Sequence, residues 1–575
     1  MRRNRFLIAM ALVLIGSVLA HRIQTGGGDV SVEQVRFAGS SGNMMSALLY
    51  IPEQASIEKP APGVLAIHGY INSRETQSGF AIEFSRRGYV VLALDQTGHG
   101  YSDPPAFANG FGGPDGLSYL RSLPFVDKQK IGLEGHSMGG WAIQMAAANT
   151  PDDYRSMVLA GSSTGTFGAP AGTPDQPRNL LLVFSLFDEF SELMWGTGVP
   201  ADIVTTEKLK TLFGTEEAVA IGEIYGDLQA GTARKLMMPA VTHPGDHLSR
   251  EAIGAAIEWL DLNLNHKSTM EATDQVWFWK ELGTLLALVG AVLLIFPITD
   301  WLLSLALFNA AISSQPPILE QSRLRLRINL ALTAIIPVLT FFPLQTVANI
   351  LLPANALLPQ QITNGVLLWA WGTGFITLAM FYFWRRKLGT NMADLGMPVE
   401  RGTILNAAAI ALLCMGALYT TLLVADFFLN VDFRFWVVAL KLLSPDQFGM
   451  FLIYLLPFTA YFLVLSLSLH NQLRVKSGIG TAMCMNGLTL SGGFVILLLI
   501  QYLPLLSGGT LAIPSQPLLS IVAFQFVPLL FMVGAVSTFC FERTGNIYTG
   551  AFINGLFVTW YMVAGTATQA VPFWF

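Results

Sequence analysis

The sequence predicts two parts of different fold class: an α/β domain with a mostly parallel sheet, and then an all-α region of membrane-spanning helices. Short apolar runs alternate with helical segments between about residues 26 and 274, and apolar runs of about 20 residues dominate residues 275–575. Only 12% of the 575 residues are charged, against about 25% in soluble domains, and mean hydropathy is +0.51. We therefore expect an N-terminal apolar segment at 1–25, the α/β domain at 26–274 and a membrane region of about eight helices at 275–575.

The N-terminal segment has the pattern of a targeting signal. Arg2, Arg3 and Arg5 precede an apolar run over residues 6–20. Such basic residues stay in the cytoplasm, and the chain that follows is translocated. The small residues of "SVLA" are typical of a signal-peptide cleavage site, but the run is also nearly long enough to span a membrane. A cleaved signal peptide and a retained anchor both fit, and we favour the anchor.

The α/β domain is predicted from its strand candidates. Short, continuously apolar runs indicate strands buried on both faces, which are typical of a parallel sheet covered by helices. Helical periodicity fills the intervening segments, for example 75–87 and 138–149. The predicted strands are 63–69, 89–95, 131–135, 155–161 and 179–185.

The membrane region is predicted from successive apolar runs. A large soluble helix bundle does not contain this many uncharged runs of spanning length. The expected spans are 282–303, 330–351, 365–384, 404–427, 450–469, 481–503, 518–541 and 551–566.

The positive charges between these spans predict the orientation. They fall in alternate loops, which share one face, and an excess of Arg and Lys marks the cytoplasmic face. Together with the N-terminal arginines, this places the α/β domain outside the cytoplasm. The residues are Arg323, Arg325, Arg327, Arg385, Arg386, Lys387, Arg474, Lys476 and Arg543.

Composition argues against several other classes of protein. A net charge of −5 gives no reason to expect nucleic-acid binding. The three cysteines, Cys414, Cys484 and Cys540, lie far apart in the membrane region without metal-binding spacing. We therefore expect no zinc site, and the chemistry derived below requires no metal or cofactor. The composition does not predict an oligomeric state.

A motif at residues 135–139 predicts a nucleophilic serine. Gly135-His136-Ser137-Met138-Gly139 is G-x-S-x-G, placed between a predicted strand and a predicted helix. The sharp turn raises the serine hydroxyl above the sheet, and both flanking glycines are needed because a Cβ would clash there. The N–H of Met138, at the start of the helix, can then bind a developing oxyanion.

With this motif, residues 34–264 resemble the α/β-hydrolase superfamily, closest to its lipase- and esterase-like members. "HGYINSRETQ", "RGYVVLALDQTGHGYSD" and "GHSMGG" are similar to its first βα loop, next strand and nucleophile turn. The resemblance implies a Ser-acid-His triad without cofactor. It also implies an oxyanion hole formed by the N–H groups of Tyr70 and Met138.

The resemblance also implies where the other triad residues lie. Asp188 directly follows the apolar strand "NLLLVFS", where the family has its acid, and Glu189 is the alternative. His243 directly follows the last predicted strand, and His247 is the alternative. Neutral His243, oriented by Asp188, would take the proton of Ser137.

The pocket is expected to depart from that of many lipases. Only about 17 residues separate the strands near Ala160 and Leu181, too few for a helical lid. We expect the segment 191–233 or the membrane region to supply part of the pocket wall.

These features predict a multi-pass membrane serine hydrolase that cleaves acyl esters, with lipid or lipid-linked esters favoured by its location. Its partners would be a small-molecule or lipid ester and membrane lipids, and no nucleic acid. A peptidase, thioesterase or acyltransferase could use the same triad. A transporter or assembly protein with a hydrolase-like binding domain is the alternative of another class.

Overall fold

A computed structural model describes residues 2–318, 321–385, 391–565 and 568–573. A nine-stranded sheet forms the centre of its first part, in the order β1-β2-β4-β3-β5-β6-β7-β9-β8. Neighbouring strands from β4 to β9 pair in parallel, whereas β1, β2 and β8 pair antiparallel at the edges. The strands are β1 Val30–Ala38, β2 Met44–Pro52, β3 Ala61–Ile67, β4 Val90–Leu94, β5 Val126–His136, β6 Ser156–Ala160, β7 Leu180–Val183, β8 Ile224–Tyr225 and β9 Arg234–Met237.

Helices cover both faces of this sheet. One apolar cluster lies under α3 and α4, and a second lies under α2 and α7. The predicted α/β class with a mostly parallel sheet is therefore confirmed. The helices of this domain are α2 Ser78–Arg86, α3 Gly113–Ser122, α4 Met138–Asn149, α5 Ser191–Trp195, α6 Glu207–Phe213 and α7 Arg250–Asn263.

The antiparallel edge was not predicted. In β1, buried residues such as Val30 and Val32 are interspersed with exposed ones, so the strand has no continuous apolar run. The strand β5 begins at Val126, five residues before the predicted 131, and this start was missed because the polar, partly exposed sequence "DKQK" breaks the apolar run.

The second part of the chain is a helix bundle. A short antiparallel hairpin, β10 Phe433–Phe435 and β11 Val438–Leu440, lies between its helices α11 and α12. The helices are α1 Arg2–Gln24, α8 Trp277–Leu302, α9 Arg323–Leu351, α10 Gln361–Arg385, α11 Arg401–Leu429, α12 Pro445–Gln472, α13 Ile479–Leu506, α14 Pro517–Thr544 and α15 Tyr548–Gly565.

Among the described residues, eight helices are long and apolar enough to cross a membrane: α1 and α8–α14. The segment predicted as a span at 551–566 differs. It forms α15, which is almost wholly buried in the bundle and is not one of these eight. Polar and small residues serve its packing, since Asn554 donates to the carbonyl oxygen of Val533 at 3.0 Å and Gly555 lies against Thr459. Residue 566 lies outside the described residues.

The helix α1 packs closely on α8. A Cβ added to Gly16 would lie 2.4 Å from the carbonyl oxygen of Gly283. A Cβ added to Gly290 would lie 2.7 Å from the carbonyl oxygen of Ala9. The two backbones therefore touch, as they do where small residues form a membrane helix pair.

The α/β domain sits at one end of the bundle. The side chain of Asn430, which follows α11, donates to the carbonyl oxygen of Val32 in β1 at 2.9 Å. Near the start of α8, Nζ of Lys280 lies 2.9 Å from Oγ of Ser78 in α2. The end of α11 and the start of α8 therefore meet the α/β domain.

The basic residues predicted to share one face lie at the opposite end. Arg543 pairs with Asp300, close to the end of α8, at 3.0 Å, and Arg474 lies 3.6 Å from Glu542. Gln321, just before the arginines that open α9, donates to the carbonyl oxygen of Gln472 at the end of α12 at 2.8 Å. Arg386, Lys387 and the side chain of Arg385 lie outside the described residues.

Candidate active site

Ser137 stands at the turn between β5 and α4. Its backbone has φ 54° and ψ −120°, a conformation that is rare for a residue with a side chain. A Cβ on Gly135 would lie 2.4 Å from the carbonyl oxygen of Gly139. A Cβ on Gly139 would lie 2.0 Å from the carbonyl oxygen of Ile67. The turn therefore needs both glycines, for the steric reason given above.

Neighbouring loops hold this turn in place. The N–H of Ser137 donates to the carbonyl oxygen of Ala160 at the end of β6, at 2.8 Å. The carbonyl oxygen of Ser137 accepts a hydrogen bond from Oγ of Ser162 at 2.7 Å. Because hydrogen bonds hold the N–H and the carbonyl oxygen of Ser137, the surrounding structure fixes the strained backbone that carries its hydroxyl.

Asp188 and His243 meet beside this turn. Oδ2 of Asp188 lies 2.8 Å from Nδ1 of His243, and both side chains are buried. The other carboxylate oxygen, Oδ1, accepts the N–H of Phe190 at 2.8 Å. His243 and Ser137 line the same cavity. The structure thus brings together the three residues that the sequence analysis selected as nucleophile, acid and base.

Glu189, the alternative acid, has a different partner. Its Oε2 accepts the backbone N–H of His243 at 2.8 Å, and its Oε1 accepts the hydroxyl of Tyr502 in α13, also at 2.8 Å. Burial, and then the nearby Asp188, raise the pKa of Glu189 to about 7. This carboxyl therefore ties the histidine loop to the helix bundle, whereas Asp188 binds the imidazole. Sequence reasoning missed Tyr502, which is separated by 313 residues from Glu189.

His247, the alternative base, lies in a poor position for that role. Its ring is buried against that of His136, with centroids 4.0 Å apart, and neither ring nitrogen has a hydrogen-bond partner within the described parts of the chain. Burial, and then His243, lower its pKa to about 3. It therefore stays neutral, and no carboxylate orients it.

The pKa of His243 is raised, whereas that of His247 is lowered. Burial alone would lower its pKa, but the charge and hydrogen bond of Asp188 outweigh burial and leave the pKa above the ordinary 6.5. A general base must be neutral, so activity that depends on His243 falls as pH falls through this raised pKa.

The substitution Asp188→Asn tests this balance. Without the carboxylate charge, burial dominates, so the acid limb of the kcat/KM profile should move to lower pH. We also expect kcat to drop by about 10⁴-fold, the size of the loss in another serine triad. A pH–rate profile on a soluble ester measures both effects.

Asp246→Asn is the control for that profile. Asp246 is a buried carboxyl in the same loop as His243 whose pKa is raised by burial, but its Oδ1 accepts the hydroxyl of Ser185 and does not bind the imidazole of His243. An acid limb that moves equally in both variants would contradict the role of Asp188.

The two predicted oxyanion residues lie at the same cavity. Tyr70 follows β3 and Gly69, and Met138 is the first residue of α4. Both line the cavity with Ser137. The N–H groups of the first helical turn have no partner inside their helix, so that of Met138 can bind an anion.

The cavity has a volume of about 320 Å³ and mostly apolar walls. The segment after the acid contributes Leu193 and Met194, and the helix bundle contributes Val437, Leu518 and Ile521. The segment 191–233 and the helical region, the two expected candidates, therefore both form part of the pocket wall.

The β10–β11 hairpin also contacts this end of the α/β domain. At its tip, the indole N–H of Trp436 donates to the carbonyl oxygen of Pro244 at 3.3 Å. Arg434 and Lys441 reach the carboxylate of Glu75 at 3.2 and 2.7 Å. Burial alone would raise the pKa of Glu75, but these cations, with Arg74, hold it well below its usual range. The hairpin thus fixes the loop after β3 and the loop of His243 relative to each other.

No group of three or more His, Cys, Asp or Glu in the described part of the chain is arranged to hold a metal ion.

Comparison with known proteins agrees with this fold. Residues 62–189 match the family model of the alpha/beta hydrolase fold. Together with the sheet order, this match shows that the chain contains an α/β-hydrolase domain, fused to a helical region with several apolar helices. The match is confined to this domain and supports a hydrolase.

Curated relatives match over a shorter stretch. Dipeptidyl peptidase 8 of Mus musculus and of Homo sapiens are each 28% identical over an alignment of 165 residues, and the match covers 24% of this chain. The chain spans only 18% of the length of these relatives.

Among solved structures, the esterase Pf2001 of Pyrococcus furiosus is 14% identical. It covers 42% of this chain and 95% of its own, with a TM-score of 0.30. The dienelactone hydrolase-like promiscuous phosphotriesterase P91, from metagenomic libraries, is 14% identical, with 42% and 99% covered and a TM-score of 0.29.

Proposed function

We propose that this α/β-hydrolase domain is the catalytic part of a membrane-bound serine hydrolase that cleaves acyl esters of lipids or lipid-linked molecules. The observation that supports it best is the geometry at one cavity. A serine on a strained turn and His243, whose Nδ1 lies 2.8 Å from the buried Asp188, line an apolar pocket that includes residues of the helix bundle.

The reaction would begin with proton transfer. Neutral His243 takes the proton of Ser137 Oγ while Oγ attacks the ester carbonyl carbon. Asp188 holds Nδ1–H of the ring and stabilises the imidazolium that forms. The N–H groups of Tyr70 and Met138 bind the resulting oxyanion.

Collapse of the tetrahedral intermediate completes the first half. His243 gives its proton to the leaving alcohol, and an acyl group remains on Ser137. Water then attacks this acyl-enzyme, with His243 again as the base. The products are the carboxylic acid and free Ser137.

A peptidase is the second candidate, because the curated relatives with a local match are dipeptidyl peptidases. The cavity favours an ester. None of the described residues that line it is Asp or Glu, so it offers no carboxylate for a peptide ammonium group. Its apolar walls suit an acyl chain instead.

Labelling and a substrate panel test this proposal on the full-length protein. A fluorophosphonate probe should label Ser137, and p-nitrophenyl esters should be hydrolysed faster than matched p-nitroanilides of dipeptides. Faster cleavage of the anilides would make the protein a peptidase, and absence of both labelling and turnover would reject the triad.

We further propose that the α/β domain lies outside the cytoplasm. Support comes from the arginines at the far end of the bundle. Cys484 is exposed, so the test uses Cys484→Ser protein in right-side-out vesicles. An impermeant maleimide should label Lys59→Cys in the α/β domain at once. It should label Lys476→Cys, between α12 and α13, only after permeabilisation. The opposite pattern would invert the orientation.

A further inference from the structure

An apolar groove runs along the outside of the bundle between α9 and α13. Its volume is about 630 Å³. Apart from Thr346 and Gln516, its lining is apolar, and Thr346 donates its hydroxyl proton back to the carbonyl oxygen of Phe342 at 3.0 Å. Among the described lining residues none is charged, so the groove suits a hydrocarbon chain and not a headgroup.

The floor of this groove is fixed. A Cβ on Gly493 of α13 would lie 2.2 Å from the carbonyl oxygen of Ala334 in α9, so the two backbones touch there. Behind the contact, Phe341 packs on Phe494 and Trp369 with ring centroids 5.3 Å apart in each case. The groove therefore exists without a helix moving.

The length and position of the groove correspond to one leaflet. Along α9 it runs from Ile335 to Thr346, which is about 16 Å at 1.5 Å per residue. Half of a bilayer's hydrocarbon core is about 15 Å. All of these lining residues except Ile335 lie in the half of α9 that leads to its C-terminal end. That end lies towards the α/β domain, because α9 starts at the far end.

The walls face outward from the bundle. Leu339 of α9 is 69% exposed and Ile496 of α13 is 60% exposed. No protein side chain covers them within the described chain, and a hydrocarbon chain is the solvent they would meet in a bilayer.

The groove ends beside the catalytic cavity. Ile513 and Gln516, just before α14, close its upper end, whereas Leu518 and Ile521, in the first turns of α14, line the cavity of Ser137. One short segment, 513–521, therefore borders both. Near it, Gly198 lies against Thr510 of the α13–α14 loop, five residues after Leu193 at the cavity.

We propose that this groove binds the acyl chain of the substrate and delivers its ester from the adjoining leaflet to Ser137. The inference rests on the proposed function and deepens it. The substrate class is an ester of a long-chain fatty acid that resides in the bilayer, selected by its chain and not by its headgroup.

Two esters with one leaving group test the groove in full-length protein reconstituted in phosphatidylcholine vesicles. The butyrate and the oleate of 4-methylumbelliferone differ only in the acyl chain. Leu339→Trp and Ile496→Trp fill the groove, so each should lower kcat/KM for the oleate about tenfold or more and change that for the butyrate less than twofold. Remote chain contacts contribute to transition-state stabilisation, which is why the loss is confined to the long ester.

The matched control is Leu412→Trp on α11, which is also 60% exposed but lies outside the groove. It should leave both esters unchanged. Full oleate activity in both groove variants would overturn the proposal and leave the groove to ordinary boundary lipid. An equal loss in the control would overturn it as well.

Crosslinking keeps the test independent of folding losses and of the proposed reaction. A photoreactive diazirine analogue of the oleate is added to Ser137→Ala protein, which binds without turnover. Adducts should map to 335–346 and 493–500, and adducts confined to other helices would overturn the proposal. If wild-type protein hydrolyses neither ester, the proposed function fails, and the adduct map still decides whether the groove binds the chain.

Discussion

Replacing Ser137 by alanine should abolish ester hydrolysis and fluorophosphonate labelling while the protein still folds. Alanine has the same backbone requirements as serine in the turn, and the hydrogen bond from Ser137 N–H to Ala160 does not involve the side chain. Loss of a triad serine has cost about 10⁶-fold in kcat elsewhere, and we expect a loss of that order.

Ser122→Ala is the control for this result. This serine ends α3, and its Oγ bonds only to the carbonyl oxygen of Tyr119 within the described structure. Its loss should leave labelling and turnover unchanged. If the Ser137→Ala protein still reacts with the probe, the nucleophile is another residue.

Replacing His243 by alanine should lower kcat by about 10³-fold or more, the loss expected when a triad base is removed. Its imidazole is the one that Asp188 orients, at 2.8 Å. His247→Ala should cost less than about tenfold, because among the described residues that ring has no carboxylate partner and it does not line the cavity of Ser137.

These two variants are closely matched. Both histidines are buried, both lie in the loop between β9 and α7, and both pack against His136, with centroids 4.7 and 4.0 Å away. The size of the void and its surroundings are therefore similar, and the difference in kcat reports the chemistry. A larger loss in His247→Ala would make that residue the base.

The site was predictable where its determinants are local in sequence. The turn at Ser137 needs only a strand, two glycines and a helix, all within one short stretch. The positions of Asp188 and His243 came from the resemblance to the α/β-hydrolase superfamily, whose acid and histidine directly follow strands of the sheet.

The contribution of the helix bundle could not be predicted residue by residue. Tyr502 and Arg434 reach the α/β domain across more than 300 positions, and nothing in their own segments names Glu189 or Glu75 as partners. The choice between Asp188 and Glu189 also depends on distant partners, because Asp188 binds the imidazole of His243 and Glu189 binds Tyr502. Adjacent carboxylates look alike in sequence, and only their separate partners distinguish them. The edge strand β1 was missed for a different reason, since its buried residues are interspersed with exposed ones and form no continuous apolar run.

The glycine contact between α1 and α8 can form only late in synthesis, because the α/β domain lies between the two helices in the sequence. The ribosome makes α1 first and α8 only after the whole α/β domain, so in a membrane-bound protein, as we propose, Gly16 of α1 stays unpaired until α8 has been made. Once α8 arrives, Ala20 is fully buried, 2.8 Å from where a Cβ on Gly283 would stand. A signal peptidase could therefore cleave the peptide bond after "SVLA" only before α8 pairs with α1. The helix α1 precedes the α/β domain and α8 follows it. Their pairing therefore brings the two ends of the domain close together.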